Sequence, residues 1–294
     1  MRRFIFLLIL TLLLTACSPA QPPADIAATT LPVYEFTFRL CAGTPLTVTR
    51  LVTEEVSCLH DYSLNVRQVQ AAEAADTIVI SGAGLEDFLD GTLSSGKLID
   101  ASQGISLLSG EAAHHHDHDH ESEESHHHHE EDPHIWLCPE NAKQMARTIC
   151  EGLCLRYPEF TQQFESNLVL LIAELDALQN YGTQTLSSLS CRELITFHDG
   201  FAYFAHAFDL TILRSMEEES GREASARELI SLIEEVEHHG LKAVFTEKSG
   251  SVSATGILSR ETGCGVYTLD MAMAGDSYFD AMYHNIDTVK EALQ

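Results

Sequence analysis

Basic residues are scarce in this chain. Against 44 Asp and Glu there are only 17 Lys and Arg, a formal net charge of −27 over 294 residues. That balance argues against nucleic acid as a partner, because phosphates require a basic face. Long apolar runs are also lacking. The longest, Phe4 to Leu14, is eleven residues broken by Thr11, where a spanning helix needs about 20. No His-Glu-x-x-His segment occurs, so the commonest helical signature of a zinc hydrolase is missing. What is present is an ordinary hydrophobic share of 45%, which excludes wholesale disorder and suffices for one large core or two moderate ones. The acidity suits a protein that attracts cations, although by itself it mostly serves solubility.

The amino-terminal run has a positive start, Arg2 and Arg3, and leads into Leu14-Thr15-Ala16-Cys17. That tetrapeptide resembles the lipobox of bacterial lipoproteins, in which the cysteine is lipidated and becomes the mature terminus. Residues 1–17 then form a signal peptide and 18–24, with three prolines, a tether; a diacylated Cys17 would anchor the chain stably to a membrane. Seven further cysteines, Cys41, Cys58, Cys138, Cys150, Cys154, Cys191 and Cys264, form an odd set that leaves at least one thiol outside any internal disulfide. Cys150 and Cys154 are one helical turn apart, a spacing compatible with a metal but also with inert buried thiols.

From Asp25 the pattern alternates. Segments 25–30, 46–51, 76–81 and 97–100 are rich in Ile, Val and Thr and predict strands; 33–41, 64–74 and 85–89 predict helices between them. The rhythm returns later, with strands over 193–197, 211–214, 243–246 and 266–269 and helices over 201–208, 224–238, 252–262 and 278–293. Such alternation implies parallel sheets covered on both faces. The fold class is therefore α/β, with two parallel-sheet lobes, 25–157 and 190–294, joined by one long, rigid helix over 158–189. In that connector Phe160, Phe164, Leu168, Leu171, Leu175 and Leu178 recur at steps of three and four, one face of a helix about 45 Å long. Gly182 is the position where it is expected to end or bend.

Within a loop at 111–132 lie nine histidines, His114, His115, His116, His118, His120, His126, His127, His128 and His129, interspersed with Asp and Glu. With nothing apolar to bury, this tract is read as solvated. Neutral imidazole suits Zn²⁺, Cu²⁺ and Ni²⁺ rather than Mg²⁺ or Ca²⁺, so the tract is expected to collect metal weakly and multivalently. A tighter site needs ligands on a rigid scaffold. His60 after the second strand, His198 after Phe197 and Asp270 after Leu269 stand beyond strand ends, where open α/β sheets bind ligands; His134 enters from the loop that carries the tract. His206, His238, His239 and His284 lie on helices or helix ends and are read as structural.

At these residues the chain resembles the metal-binding subunits of bacterial zinc and manganese ABC importers. The most specific segments are Asp132-Pro133-His134-Ile135-Trp136-Leu137 and Phe197-His198-Asp199-Gly200-Phe201-Ala202-Tyr203-Phe204, supported by His60-Asp61-Tyr62, Gly82-Ala83-Gly84-Leu85-Glu86, Phe245-Thr246-Glu247 and Asp276-Ser277-Tyr278. The resemblance implies two α/β lobes on a long helix, with a metal held in the interlobe cleft by His60, His134, His198 and Asp270. Histidine at the third position, where manganese-preferring members tend to carry a carboxylate, implies Zn²⁺ as the transported ligand, with Mn²⁺ the poorer fit. It also implies delivery to an ABC permease in the cytoplasmic membrane by a monomer on the extracytoplasmic face. Departures from the family pattern place Cys58-Leu59 before His60 and Cys138-Pro139 after Trp136-Leu137. For Cys58 the alternatives are a disulfide, with Cys138 among the candidate partners, or a fifth donor at the site. No catalytic step is expected: a fourth protein ligand closes the position that a zinc hydrolase leaves open. A manganese-binding homologue, a surface adhesin of the same fold and, behind them, a secreted zinc hydrolase are the alternatives. Binding is expected to weaken between roughly pH 6.5 and 5, since imidazoles must be neutral to ligate.

Overall fold

A computed structural model of the chain describes residues 23–54, 59, 62–89, 95–108, 131–216, 225–248 and 252–294. His60, Cys58, Cys17 and the histidine tract lie outside them.

In the first lobe, β1 (Ile26–Ala28) is central and wholly buried, and runs parallel to β2 (Val48–Arg50) on one side and β3 (Thr77–Ile80) on the other; β4 (Leu98–Asp100) completes the order β2-β1-β3-β4. Helix α1 (Leu31–Leu40) starts on Pro32, whose fixed φ suits the first turn. Helix α2 (Val66–Ala74) is opened by a capping box in which Asn65 accepts from the Gln68 amide and Gln68 reaches back to the Asn65 N–H. The helix expected at 85–89 is only a single tight turn, Asp87–Leu89. Five residues nucleate an α-helix poorly, and here Glu86 is turned inward to cap the strand end instead.

The second lobe repeats the plan. Strands β5 (Glu193–Thr196), β6 (Thr211–Ser215), β7 (Ala243–Glu247) and β8 (Gly265–Leu269) form a parallel sheet of order β6-β5-β7-β8. Both sheets thus place their strands second, first, third, fourth, a shared topology that no residue-level repeat announces. Helices α5 (Ala202–Ala207), α6 (Ala226–His239), α7 (Val252–Thr262) and α8 (Tyr278–Leu293) complete the lobe.

Between the lobes run α3 (Pro139–Arg156), the tight turn Pro158–Phe160 and the 26-residue connector α4 (Thr161–Leu186). Phe164, Leu171, Leu175, Leu178, Gly182 and Leu186 form the buried face of α4, each large side chain stabilising by about 1.5–3 kcal/mol. The helix does not stop at Gly182. A Cβ there would stand 2.2 Å from Phe208 Cε1, so the glycine marks the close approach of the Phe208 ring rather than a helix end. Charged and polar contacts fix α4 to both lobes: Glu174 to Arg39 at 2.6 Å and Asp176 to Lys143 at 2.6 Å on one side, Tyr181 Oη to Asp287 at 2.6 Å and the Thr185 carbonyl to Lys290 at 3.0 Å on the other. One continuous apolar core runs from Ile26 and Phe36 through α4 to Phe204 and Val289.

Candidate metal centre

The carboxyl ends of the two sheets face each other. Leu31, just past β1, donates its N–H to the Met273 carbonyl beyond β8 at 3.2 Å, and Arg50 at the end of β2 reaches the Gly275 carbonyl at 2.8 Å. Two wholly buried aromatic residues lock this junction. Trp136 donates its indole N–H to the Met271 carbonyl at 2.8 Å, and Tyr278 donates its hydroxyl to the Trp136 carbonyl at 2.8 Å. Glu35 on α1 accepts the Tyr278 N–H at 2.6 Å while pairing with Arg39.

His134 sits on the short turn that Trp136 pins. Its backbone N–H and its Nδ1 both approach Asp132 Oδ1, at 2.9 and 2.8 Å. A carboxylate only accepts, so Nδ1 carries a proton, and in the neutral imidazole Nε2 is the nitrogen with the lone pair. Nε2 is buried and has no hydrogen-bond partner among the described residues. Such an atom is costly without a partner, and a carboxylate-oriented imidazole is the usual form of a metal-ligating histidine.

His198 lies two residues past β5, its ring edge-on to that of His134 with centroids 5.4 Å apart. Gly200 permits this pose: a Cβ there would stand 2.9 Å from His198 Nε2 and 2.7 Å from Met271 Cε. Behind the ring, Glu247 at the end of β7 places Oε1 3.9 Å from Nδ1. Parallel pairing of β5 with β7 brings Glu247 there.

Asp270 follows β8 directly. Its N–H donates to Asn285 Oδ1 and its carbonyl accepts from Asn285 Nδ2, both at 2.7 Å, with Asn285 wholly buried on α8. Its Oδ1 accepts the N–H of Ala272 at 2.8 Å, holding that residue at φ 55°, a left-handed conformation that costs on the order of 1 kcal/mol outside glycine. Its Oδ2 pairs with Lys248 Nζ at 2.6 Å. The structure therefore brings the His134 and His198 rings together and fixes the Asp270 backbone and carboxylate at the end of β8. Among the described residues, no group of three or more His, Cys, Asp and Glu side chains is gathered as a metal cage, and His60 lies outside them.

The thiols stand apart from this junction's chemistry. Cys41, Cys138, Cys150, Cys154, Cys191 and Cys264 are free, and burial pushes Cys41 and Cys150 up to about 12, far from the thiolate needed for ligation at neutral pH. The proposed partner of Cys138, Cys58, is outside the described residues. Of the other histidines, His239 contacts Glu193 at 3.1 Å and His284 the Thr268 carbonyl at 3.3 Å.

Two matched parallel-sheet lobes, a rigid helical connector and inward-facing imidazoles at the strand ends define a cleft-type binding protein of the helix-linked class. The family described as zinc-uptake complex component A, periplasmic, matches residues 26–292. The chain is 29% identical over 307 residues to the zinc-binding lipoprotein AdcA of Streptococcus pneumoniae, an alignment covering 95% of the chain but 58% of that lipoprotein's length. A crystal structure of ZnuA superposes with TM-score 0.77 at 29% identity, covering 92% of the chain and all of the other. Zn(II)-bound AdcA from Streptococcus pneumoniae gives 0.75 at 26%, covering 92% of the chain and 57% of that one. The chain belongs to the zinc-uptake component A family: it is an extracytoplasmic, non-catalytic solute-binding protein of zinc-uptake ABC transport.

Proposed function

We propose that the chain captures Zn²⁺ with high affinity as cargo, held by His134, His198 and Asp270 of the junction together with His60, and delivers it to an ABC permease in the cytoplasmic membrane. Three imidazoles and one carboxylate match tetrahedral Zn²⁺ better than Mn²⁺. The histidines of 114–129 collect the ion nearby, and a lipidated Cys17 keeps the carrier at the membrane. The observation that carries this reading is His134 Nε2: buried, on a ring whose Nδ1 is held by Asp132, without a hydrogen-bond partner among the described residues, and beside the His198 ring.

Titration of the full chain with Zn²⁺ against a chromogenic chelator tests it. Deletion of 114–129 is expected to remove weak sites and keep one tight site, whereas His198→Ala is expected to weaken the tight site at least 100-fold, the loss of a ligand being worth a few kcal/mol. A tight site that survives His198→Ala unchanged refutes the assignment.

A further inference from the structure

We infer that Lys248 is a built-in competitor for the cargo, a residue whose ammonium occupies the Asp270 carboxylate and sets how tightly the metal is held and how fast it leaves. This rests on the reading of Asp270 as a zinc ligand. Lys248 follows Glu247 at the end of β7, the strand paired with β8, and its Nζ lies 2.6 Å from Asp270 Oδ2.

The two carboxylate oxygens are not equivalent. Oδ1 is committed to the Ala272 N–H, and the Asp270 backbone is fixed on both sides by Asn285. The group therefore cannot turn freely to offer a different oxygen. Each oxygen keeps a further lone pair, but Lys248 holds Oδ2, the one not tied to the backbone, and puts its positive charge where a cation would bind. A charge-assisted bond of this kind is strong when formed, but its two ends are unequally solvated: the Lys248 side chain is 51% exposed and that of Asp270 14%. The ammonium can swing into water on its flexible stem with little desolvation cost, while the carboxylate stays.

The pair thus keeps the carboxylate in place and charge-balanced before cargo arrives. Zn²⁺ arriving at Oδ2 competes with the Lys248 bond, and the ammonium, displaced or still in place, repels the dication. Both effects weaken binding and favour release, as a carrier that must surrender its load requires. Solvent screening at a half-exposed lysine limits the combined effect to about tenfold.

The test is equilibrium and stopped-flow transfer of Zn²⁺ between the full chain, purified in detergent, and a chromogenic chelator. Lys248→Met, which keeps the stem and removes the charge, is expected to bind zinc about tenfold more tightly and release it correspondingly slower; Lys248→Arg should stay within about threefold of the parent. Lys248→Gln serves if the methionine variant does not fold. In an Asp270→Asn background the Lys248→Met gain should disappear, since the competition is for that carboxylate. Unchanged or weaker binding by Lys248→Met, or a gain that persists without Asp270, overturns the inference. Asp270→Asn alone separates the two levels: if it leaves zinc affinity intact, the ligand reading of Asp270 fails, whereas if it weakens zinc while Lys248→Met changes nothing, only the competitor role falls.

Discussion

Glu86 is almost entirely enclosed, yet three donors converge on it: the Thr29 hydroxyl at 2.6 Å, the Ser81 N–H at 2.8 Å and the Gly82 N–H at 2.9 Å. Those bonds favour the carboxylate, but burial outweighs them and pushes the group from 4.5 up to about 7. The folded state therefore holds a proton that the unfolded chain has already lost between about pH 4.5 and 7. The contribution of this group to stability is fully present below that window and is lost as pH rises through it. Glu86→Gln should flatten the dependence, so that the stability difference between pH 5 and pH 7 from urea titrations shrinks by about 2 kcal/mol. A separate, pH-independent penalty of roughly 1–3 kcal/mol is expected from turning an amide NH₂ toward one of the backbone donors. At this scale, the motif residues His134, His198 and Asp270 were legible in sequence as chemistry-bearing positions. Their supporting partners were less so. Asp132 is two residues from His134 and visible as part of the same motif, but Glu247 and Lys248 approach His198 and Asp270 only through parallel strand pairing.

The connector α4 follows its apolar stripe and departs from expectation at one position, Gly182. Its apolar steps of three and four mark the buried face. Gly182 carries a low helical propensity, consistent with an end or bend, yet the helix runs through it, and glycine stands there because the Phe208 ring occupies the space of a side chain. Gly182→Ala pits the two effects directly. Propensity alone would stabilise the helix by about 1 kcal/mol, whereas overpacking against Phe208 costs about 1–3 kcal/mol. Net destabilisation is expected in urea unfolding, and a net gain would show that the ring moves aside freely. The short turn Asp87–Leu89 is the reverse case: local apolar residues suggested a helix, and the demand of Glu86 for the strand-end donors shaped the segment instead.

At the scale of the whole molecule, the two lobes share a core and a hydrogen-bonded seam rather than a hinge. Trp136, Met271, Tyr278 and Glu35 connect the halves in a chain of buried bonds, and α4 lies against both. Large swings of one lobe about the other would have to open this core, so ligand-linked motion is confined to loops and side chains at the cleft. Tyr278→Phe leaves the Trp136 carbonyl without its donor and should cost about 1–2 kcal/mol, with unfolding by fluorescence and by circular dichroism remaining a single coincident transition. Separate transitions for the two probes would mean that the lobes fold independently and the seam does not couple them.

By itself, the sequence determined the α/β alternation, the two-lobed plan, the buried stripe of the connector and which residues carry metal-type chemistry, because periodicity and side-chain identity are local properties. Only the tertiary structure decided the order of strands in each sheet, that six thiols form no disulfide among the described residues, the tautomer of His134 set by Asp132, and the pairing of Asp270 with Lys248. Those depend on which strands lie side by side and which atoms are shut away from water, and neither is written in the spacing of residues along the chain.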